Sequence, residues 1–360
     1  MRKFVVLISL FTTIFSVTLL GQVQSVESLI EEGIELHDAG EFEEAIDRYN
    51  EVLELDSTHV FALYELSLSY LALSDFENAS IYSSLVIDSN NEELSPGAYA
   101  VKSEALAEMK QIDEAIELLH MGLEKNGDIS LLYFNLALNY FKKGDTDKAL
   151  EHVKKAIDLD KSHSGAFLLN AYALRDKGLW VQSILSFQMF LLLEPDSKRS
   201  KNAFAELLQT MQITKPKEPV ERSFIQQQLL KNVSEDALQP DEIPPLSTED
   251  GLNRNFVYHA ITSTKDSLDS ISESLDEFTL FKTINLEIMK VLERESKGDR
   301  EGILWTFYIP FFSRIAHSEY YDTYCRYISV SYIPESLEWW QQNPETAVNF
   351  VIWFEKGNNN

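Results

Sequence analysis

The chain has 360 residues, of which 31 are basic and 58 acidic, giving a formal charge of −27 at neutral pH. That balance argues against binding nucleic acid by phosphate neutralisation and against docking on anionic lipid. Hydrophobic residues make up 44% of the chain, enough for a repeat array plus a second domain, and the lone cysteine, Cys325, leaves no internal disulfide to share the work.

Residues 1–25 come first as a targeting segment. Met1-Arg2-Lys3 precedes an apolar run from Phe4 to Leu20, the order of a secretory signal peptide. Cleavage is expected near Gly21–Gln22 or at the small residue of Val23-Gln24-Ser25; an uncleaved membrane anchor is the alternative. No cysteine ends the run, which argues against a lipoprotein. The expected location is periplasmic or extracellular. Removing Arg2 and Lys3 makes the chain still more acidic, and because its acids are scattered they read as a solvated face.

From residue 26 small residues recur at Ala45, Ala79, Ala115, Ala149 and Ser183, spaced by 34, 36, 34 and 34 residues. A second small series, Gly33, Ser67, Ser103, Ala137 and Ala171, precedes each marker by 12 residues. A period of this length marks stacked helix–turn–helix units, with small side chains where two helices approach closely. Asp38-Ala39-Gly40, Lys142-Lys143-Gly144 and Asp176-Lys177-Gly178 supply turns. The fourth unit reads Tyr133, Leu136-Ala137, Tyr140, Gly144, Ala149, Ala156; the fifth reads Phe167, Ala171, Leu174, Gly178, Ser183, Phe187, Phe190 and a late Pro195.

These residues resemble the tetratricopeptide repeat (TPR), with five repeats over about residues 26–197. The third is the weakest, with Lys102-Ser103 at the Leu-Gly position and a two-residue extension around Pro96-Gly97. Phe204, Leu207, Leu208 and Met211 predict a closing helix, so the repeat domain spans 26–213. The resemblance implies an all-α fold, a right-handed α-solenoid, and a partner-binding groove lined from the first helix of each unit. Carried onto this chain, the groove positions are Phe61, Tyr64, Leu68 and Leu71; then Leu131, Phe134, Leu138 and Phe141; then Leu168, Tyr172 and Arg175. The family's carboxylate clamp uses Lys and Asn where the first unit has Ile30 and Ile34, so an apolar or amphipathic protein segment is the expected cargo. The occupant is either a partner or the chain's own connector or C-terminal domain.

Residues 214–250 read as a connector, bracketed by Lys215-Pro216-Lys217-Glu218-Pro219 and by Pro240 to Pro245. The C-terminal domain, 251–360, is expected to be helical and aromatic-rich. Leu268, Ile271, Leu275 and Phe278 predict one helical face, and Phe281, Ile284, Ile288 and Leu292 continue it to a stop at Ser296-Lys297-Gly298. Four of five tryptophans follow residue 300. This density reads either as an aromatic core or as a platform for a small molecule or glycan. Asn343, Pro344, Glu345 and Gly357 bracket a last helix.

No phosphate loop, Gly-x-Ser-x-Gly or His-Glu-x-x-His occurs, and the seven histidines are dispersed. His317, Glu319 and Cys325 come nearest to a polar constellation, with too few ligands for a metal. The expectation is an exported, non-enzymatic scaffold or adaptor without cofactor, metal or catalytic residues. The alternative is a ligand-binding, conceivably catalytic, C-terminal domain presented by the repeats.

Overall fold

The computed structural model describes residues 25–214, 248–269, 275–298 and 300–357; the expected signal segment and nearly all of the connector lie outside them. The chain divides into two compact units, Met1–Leu118 and Leu119–Asn360. The first holds α1 (Val26–Ala39), α2 (Phe42–Leu55), α3 (Val60–Ala72), α4 (Phe76–Asp88), α5 (Ser95–Glu108) and the start of α6 (Ile112–Asn126). The second holds the end of α6 and α7 (Ser130–Lys143), α8 (Thr146–Leu159), α9 (Ser164–Asp176), α10 (Trp180–Leu193) and α11 (Lys198–Thr210). Ten helices thus form the five expected pairs, and α11 is the closing helix, with Phe204, Leu207, Leu208 and Met211 all buried.

The small residues do what their spacing predicts. All five markers are buried, as are Ser67, Ser103, Ala137 and Ala171. At Gly33 a Cβ would sit 2.4 Å from Cε1 of the buried Tyr49, so nothing larger than glycine fits. Each pair turns through one residue with positive φ: Gly40 (83°), Ser74 (62°), Lys110 (68°), Gly144 (86°) and Gly178 (71°). Each turn repeats the same two hydrogen bonds; the N–H of Gly40 reaches His37 O and that of Glu41 reaches Leu36 O, both at 2.9 Å. The second and third repeats therefore hold side-chain-bearing residues in the left-handed region.

The remaining elements of the second unit are α12 (Arg254–Asp269), α13 (Glu277–Glu295), a π-helical turn (Leu304–Tyr308), α14 (Ile309–Ala316), α15 (Tyr321–Tyr327), α16 (Pro334–Gln342) and α17 (Pro344–Gly357). One expectation changes. Leu268 and Phe278 do not share a helix: α12 stops at Asp269, and Asp276 caps α13 by accepting from the Thr279 N–H at 2.8 Å. Phe281, Ile284, Ile288 and Leu292 do form one buried face of α13. The sequence reading also missed a hairpin before α12. Thr248 pairs with Asn253 and Glu249 with Leu252, joined by Asp250-Gly251 with φ of 47° and 82°, the signature of a type I′ turn.

The C-terminal helices pack on the last repeat. The Tyr308 hydroxyl donates to Ser186 Oγ at 3.2 Å, and Asn170 Nδ2 donates to Tyr308 Oη at 3.3 Å. Tyr324 donates to Gln188 Oε1 at 2.8 Å, and Phe204 meets Phe281 edge-on at 5.0 Å. The sequence of α10 anticipates this cover. Where the preceding repeat has Lys148, Glu151, Lys154, Lys155 and Asp158, α10 has Gln182, Leu185, Gln188, Met189 and Leu192, all buried. A helix with no charged face belongs inside a protein. Leu185, Met189 and Leu192 each bury a side chain worth about 2 kcal/mol.

Candidate partner-binding face

In the first unit, α3 carries Phe61, Tyr64, Leu68 and Leu71, all half-buried. Leu68 and Leu71 lean on a cluster of Ala79, Val101 and Ala105. Tyr64 goes deeper. Its ring lies over Gly97, where a Cβ would come within 2.4 Å of the hydroxyl oxygen. The Pro96-Gly97 extension thus opens α5 with proline in its first turn and gives Tyr64 room. Burial pushes the Tyr64 phenol up, and the Glu65 carboxylate adds to the shift.

In the second unit, α7 presents Leu131, 37% exposed, with half-buried Phe134 and Leu138. The Phe134 ring lies 4.5 Å from that of His163 and close over Gly165. The other four positions offer no surface: Phe141, Leu168, Tyr172 and Arg175 are buried. Tyr172 packs edge-on against Phe187 at 5.4 Å, and the Arg175 guanidinium lies 5.2 Å over the Tyr172 ring while bonding Glu206 of the closing helix. An arginine at a groove position here serves as the anchor of α11.

Electrostatics elsewhere in the second unit centre on two features the sequence reading missed. Glu249, at the hairpin, is fully buried and accepts from the backbone N–H groups of Val181 at 3.0 Å and Gln182 at 2.9 Å. It supplies the N-terminal cap that α10 lacks from its own Leu179. Arg254 lies 3.6 Å from this carboxylate and donates to Gly178 O. Burial nevertheless pushes the Glu249 carboxyl up to about 7 against these stabilising contacts. The other feature is His152, whose ring lies between Tyr133 at 6.0 Å and Tyr140 at 5.2 Å, with His120 6.2 Å away. Burial lowers the pKa of His152, and the neighbouring His120 and Lys148 lower it further against Glu151 and Asp145. No local spacing could reveal the Glu249 cap, whose partners lie 68 and 67 residues away in the chain, whereas Tyr133, Tyr140 and His152 meet within one helix pair.

The structure does not assemble the nearest polar constellation of the sequence. His317 is exposed and pairs with Glu293 at 2.8 Å, whereas Cys325 is buried, its thiol pushed up to about 12 by desolvation. Among the described residues no group of three or more His, Cys, Asp or Glu side chains converges to hold a metal. The aromatic density is largely core: Trp305, Tyr308, Phe312, Tyr321, Tyr324 and Phe350 are buried. Trp339 and Trp340 are both half-buried. No helix among the described residues is long and apolar enough to cross a membrane.

Comparison with known proteins agrees with the helix pairs. Family profiles described as Tetratricopeptide repeat match residues 30–98 and 130–163. The TPR repeat-containing protein MJ1428 of Methanocaldococcus jannaschii is 26% identical over 136 residues, covering 37% of this chain and 24% of that protein. The match therefore spans about a quarter of that relative's length. Among solved structures, the thermophilic TPR protein TTC0263 of Thermus thermophilus superposes with a TM-score of 0.46 at 18% identity, covering 52% of this chain and all of that one. YrrB, described as a TPR protein with an unusual peptide-binding site, has a TM-score of 0.35 at 19% identity, covering 51% and 92% of the two chains. The fold is one typical of protein–protein interaction. Helix pairs, small-residue register and profile matches converge: the chain contains tetratricopeptide repeats, matched by profile over residues 30–98 and 130–163 and in register with the five helix pairs.

Proposed function

We propose that the protein is an exported TPR adaptor that holds an apolar or amphipathic segment of a partner protein on first-helix faces of its repeats. The observation that carries this reading is the exposure of Leu131 beside half-buried Phe134 and Leu138, an apolar first-helix surface that the described residues leave open. Phe61, Leu68 and Leu71 offer the same chemistry in the first unit. Phe141, Leu168, Tyr172 and Arg175 are buried and take no part in that surface, and Tyr64 is half-buried over Gly97. Export rests on Met1-Arg2-Lys3 followed by the apolar run Phe4–Leu20.

The test is co-purification of the full chain from its native envelope, comparing wild type with Leu131→Glu plus Leu138→Glu. Loss of a partner with the helical circular-dichroism signal unchanged supports the reading; undiminished recovery sinks it. Export is checked separately by fractionation and N-terminal sequencing, and recovery with Met1 intact from the cytoplasmic fraction refutes that part.

A further inference from the structure

Where the start of α13, the end of α15 and the start of α16 meet, the second unit holds a cleft of about 530 Å³, a volume that suits a small molecule. Phe278 and Ile333 give it apolar walls, Asp276, Glu277 and Glu335 supply carboxylates, and Arg326 is the one cation among its described lining residues. Two rings and a carboxylate hold that arginine. Its Cζ lies 4.3 Å over the Phe278 ring and 5.1 Å over that of Trp339, and its Nε donates to Asp322 Oδ2 at 2.9 Å. Asp322 is itself fixed by Lys282, whose Nζ donates to Oδ1 at 2.5 Å. The Arg326 side chain is only 20% exposed, yet among the described residues its Nη1 and Nη2 groups donate to no partner. The terminal N–H groups thus form a fixed, unfilled fork, the geometry that takes both oxygens of one carboxylate.

From these groups we infer a binding site for a small zwitterion, an amino acid or dipeptide with an apolar side chain. Its carboxylate sits on the Arg326 fork, its ammonium toward Glu335, and its side chain against Phe278 and Ile333. The mixed charge of the cleft selects that ligand over the others. A phosphate dianion meets the carboxylates of Asp276, Glu277 and Glu335 in the same space, and an alkylammonium leaves the arginine fork unfilled and is repelled by it. A zwitterion answers both signs. Glu335 is the carboxylate open to a ligand: it is exposed and bonds no described residue, whereas Asp276 commits one oxygen to the Thr279 N–H at 2.8 Å and the other to the Thr279 hydroxyl at 2.7 Å. This site is independent of the first-helix faces.

The probes are L-leucine and L-leucyl-L-leucine, titrated against the full chain by calorimetry and by ligand-observed saturation-transfer NMR. Saturable binding of either is the expected result, and the stronger of the two tells a free amino acid from a dipeptide. Isocaproate, which is leucine without its ammonium, and isoamylamine, which is leucine without its carboxylate, should each bind about tenfold more weakly than leucine. Arg326→Lys keeps the charge but loses the fork, and should weaken zwitterion binding about tenfold. Glu335→Gln changes an exposed side chain, so the fold is kept, and should weaken binding about threefold. Glu338→Gln, exposed on the same helix but outside the cleft, should leave it within about twofold. The proposal is overturned if neither zwitterion saturates the chain by about 10 mM, or if isocaproate binds as tightly as leucine. Wild-type affinity in both Arg326→Lys and Glu335→Gln overturns it as well, by placing any bound zwitterion elsewhere.

Discussion

Glu249 caps the helix that begins at Trp180, its two carboxylate oxygens each bonded to a backbone N–H, of Val181 and of Gln182. A residue at the end of the expected connector thus completes the last repeat, and Arg254 ties the same hairpin to Gly178 O. Glu249→Ala should cost about 3 kcal/mol, because it strips a buried cap and leaves Arg254 without its carboxylate. The carboxyl lies at about 7 folded against 4.5 ordinarily, so the folded state holds its proton more tightly. Its stabilisation is complete below pH 4.5 and declines as pH rises to about 7, after which it levels. Denaturation from pH 4 to pH 8 should show that decline in wild type relative to Glu249→Gln; identical profiles would refute it.

Ser74 and Lys110 hold the turn position that glycine takes in the other three repeats, at φ of 62° and 68°. Replacing either by glycine relieves left-handed strain that outweighs the added freedom of the unfolded chain, for a net gain of about 0.5 kcal/mol each. Urea unfolding midpoints should rise for both. Gly144→Ala should lower the midpoint by a comparable or larger step.

Gly97 and Tyr64 form a matched pair. Gly97→Ala should cost about 2 kcal/mol by driving the phenol from its place. Trimming the hydroxyl in Gly97→Ala/Tyr64→Phe removes the nearest clashing atom and should recover part of the loss. A double-mutant cycle with no coupling would show that the ring moves freely.

Tyr324 and Gln188 hold the C-terminal helices to α10 through a buried bond of 2.8 Å. Tyr324→Phe leaves the Gln188 carbonyl oxygen unpaired and should cost about 2 kcal/mol. Gln188→Leu in that background replaces both polar partners with apolar ones and should restore much of it. Thermal unfolding of the four chains measures the coupling.

Burial depresses His152 and His163, so the unfolded chain takes up protons that the native one refuses. Their contribution is intact above about pH 6.5 and is lost progressively as pH falls below it. His152→Gln should flatten that acid limb, so its loss of stability relative to wild type should be larger at pH 8 than at pH 5 in denaturant titrations; a loss that does not change with pH would refute it.

The repeat architecture was legible in the sequence because its determinants are local and periodic. Small residues 12 apart within a pair and about 34 apart between pairs leave two helices one way to approach, as the buried Gly33, Ala137 and Ala171 show. The turns at Gly40, Gly144 and Gly178 were equally plain. Which groove positions stay open was decided only by the tertiary structure. Leu131 and Arg175 occupy matching kinds of position, yet one meets solvent and the other bonds Glu206. The Glu249 cap likewise joins residues far apart in the chain, 68 and 67 positions from Val181 and Gln182. Side-chain periodicity encodes how neighbouring helices meet, whereas burial and charge depend on what covers each helix, and that cover comes from distant parts of the chain.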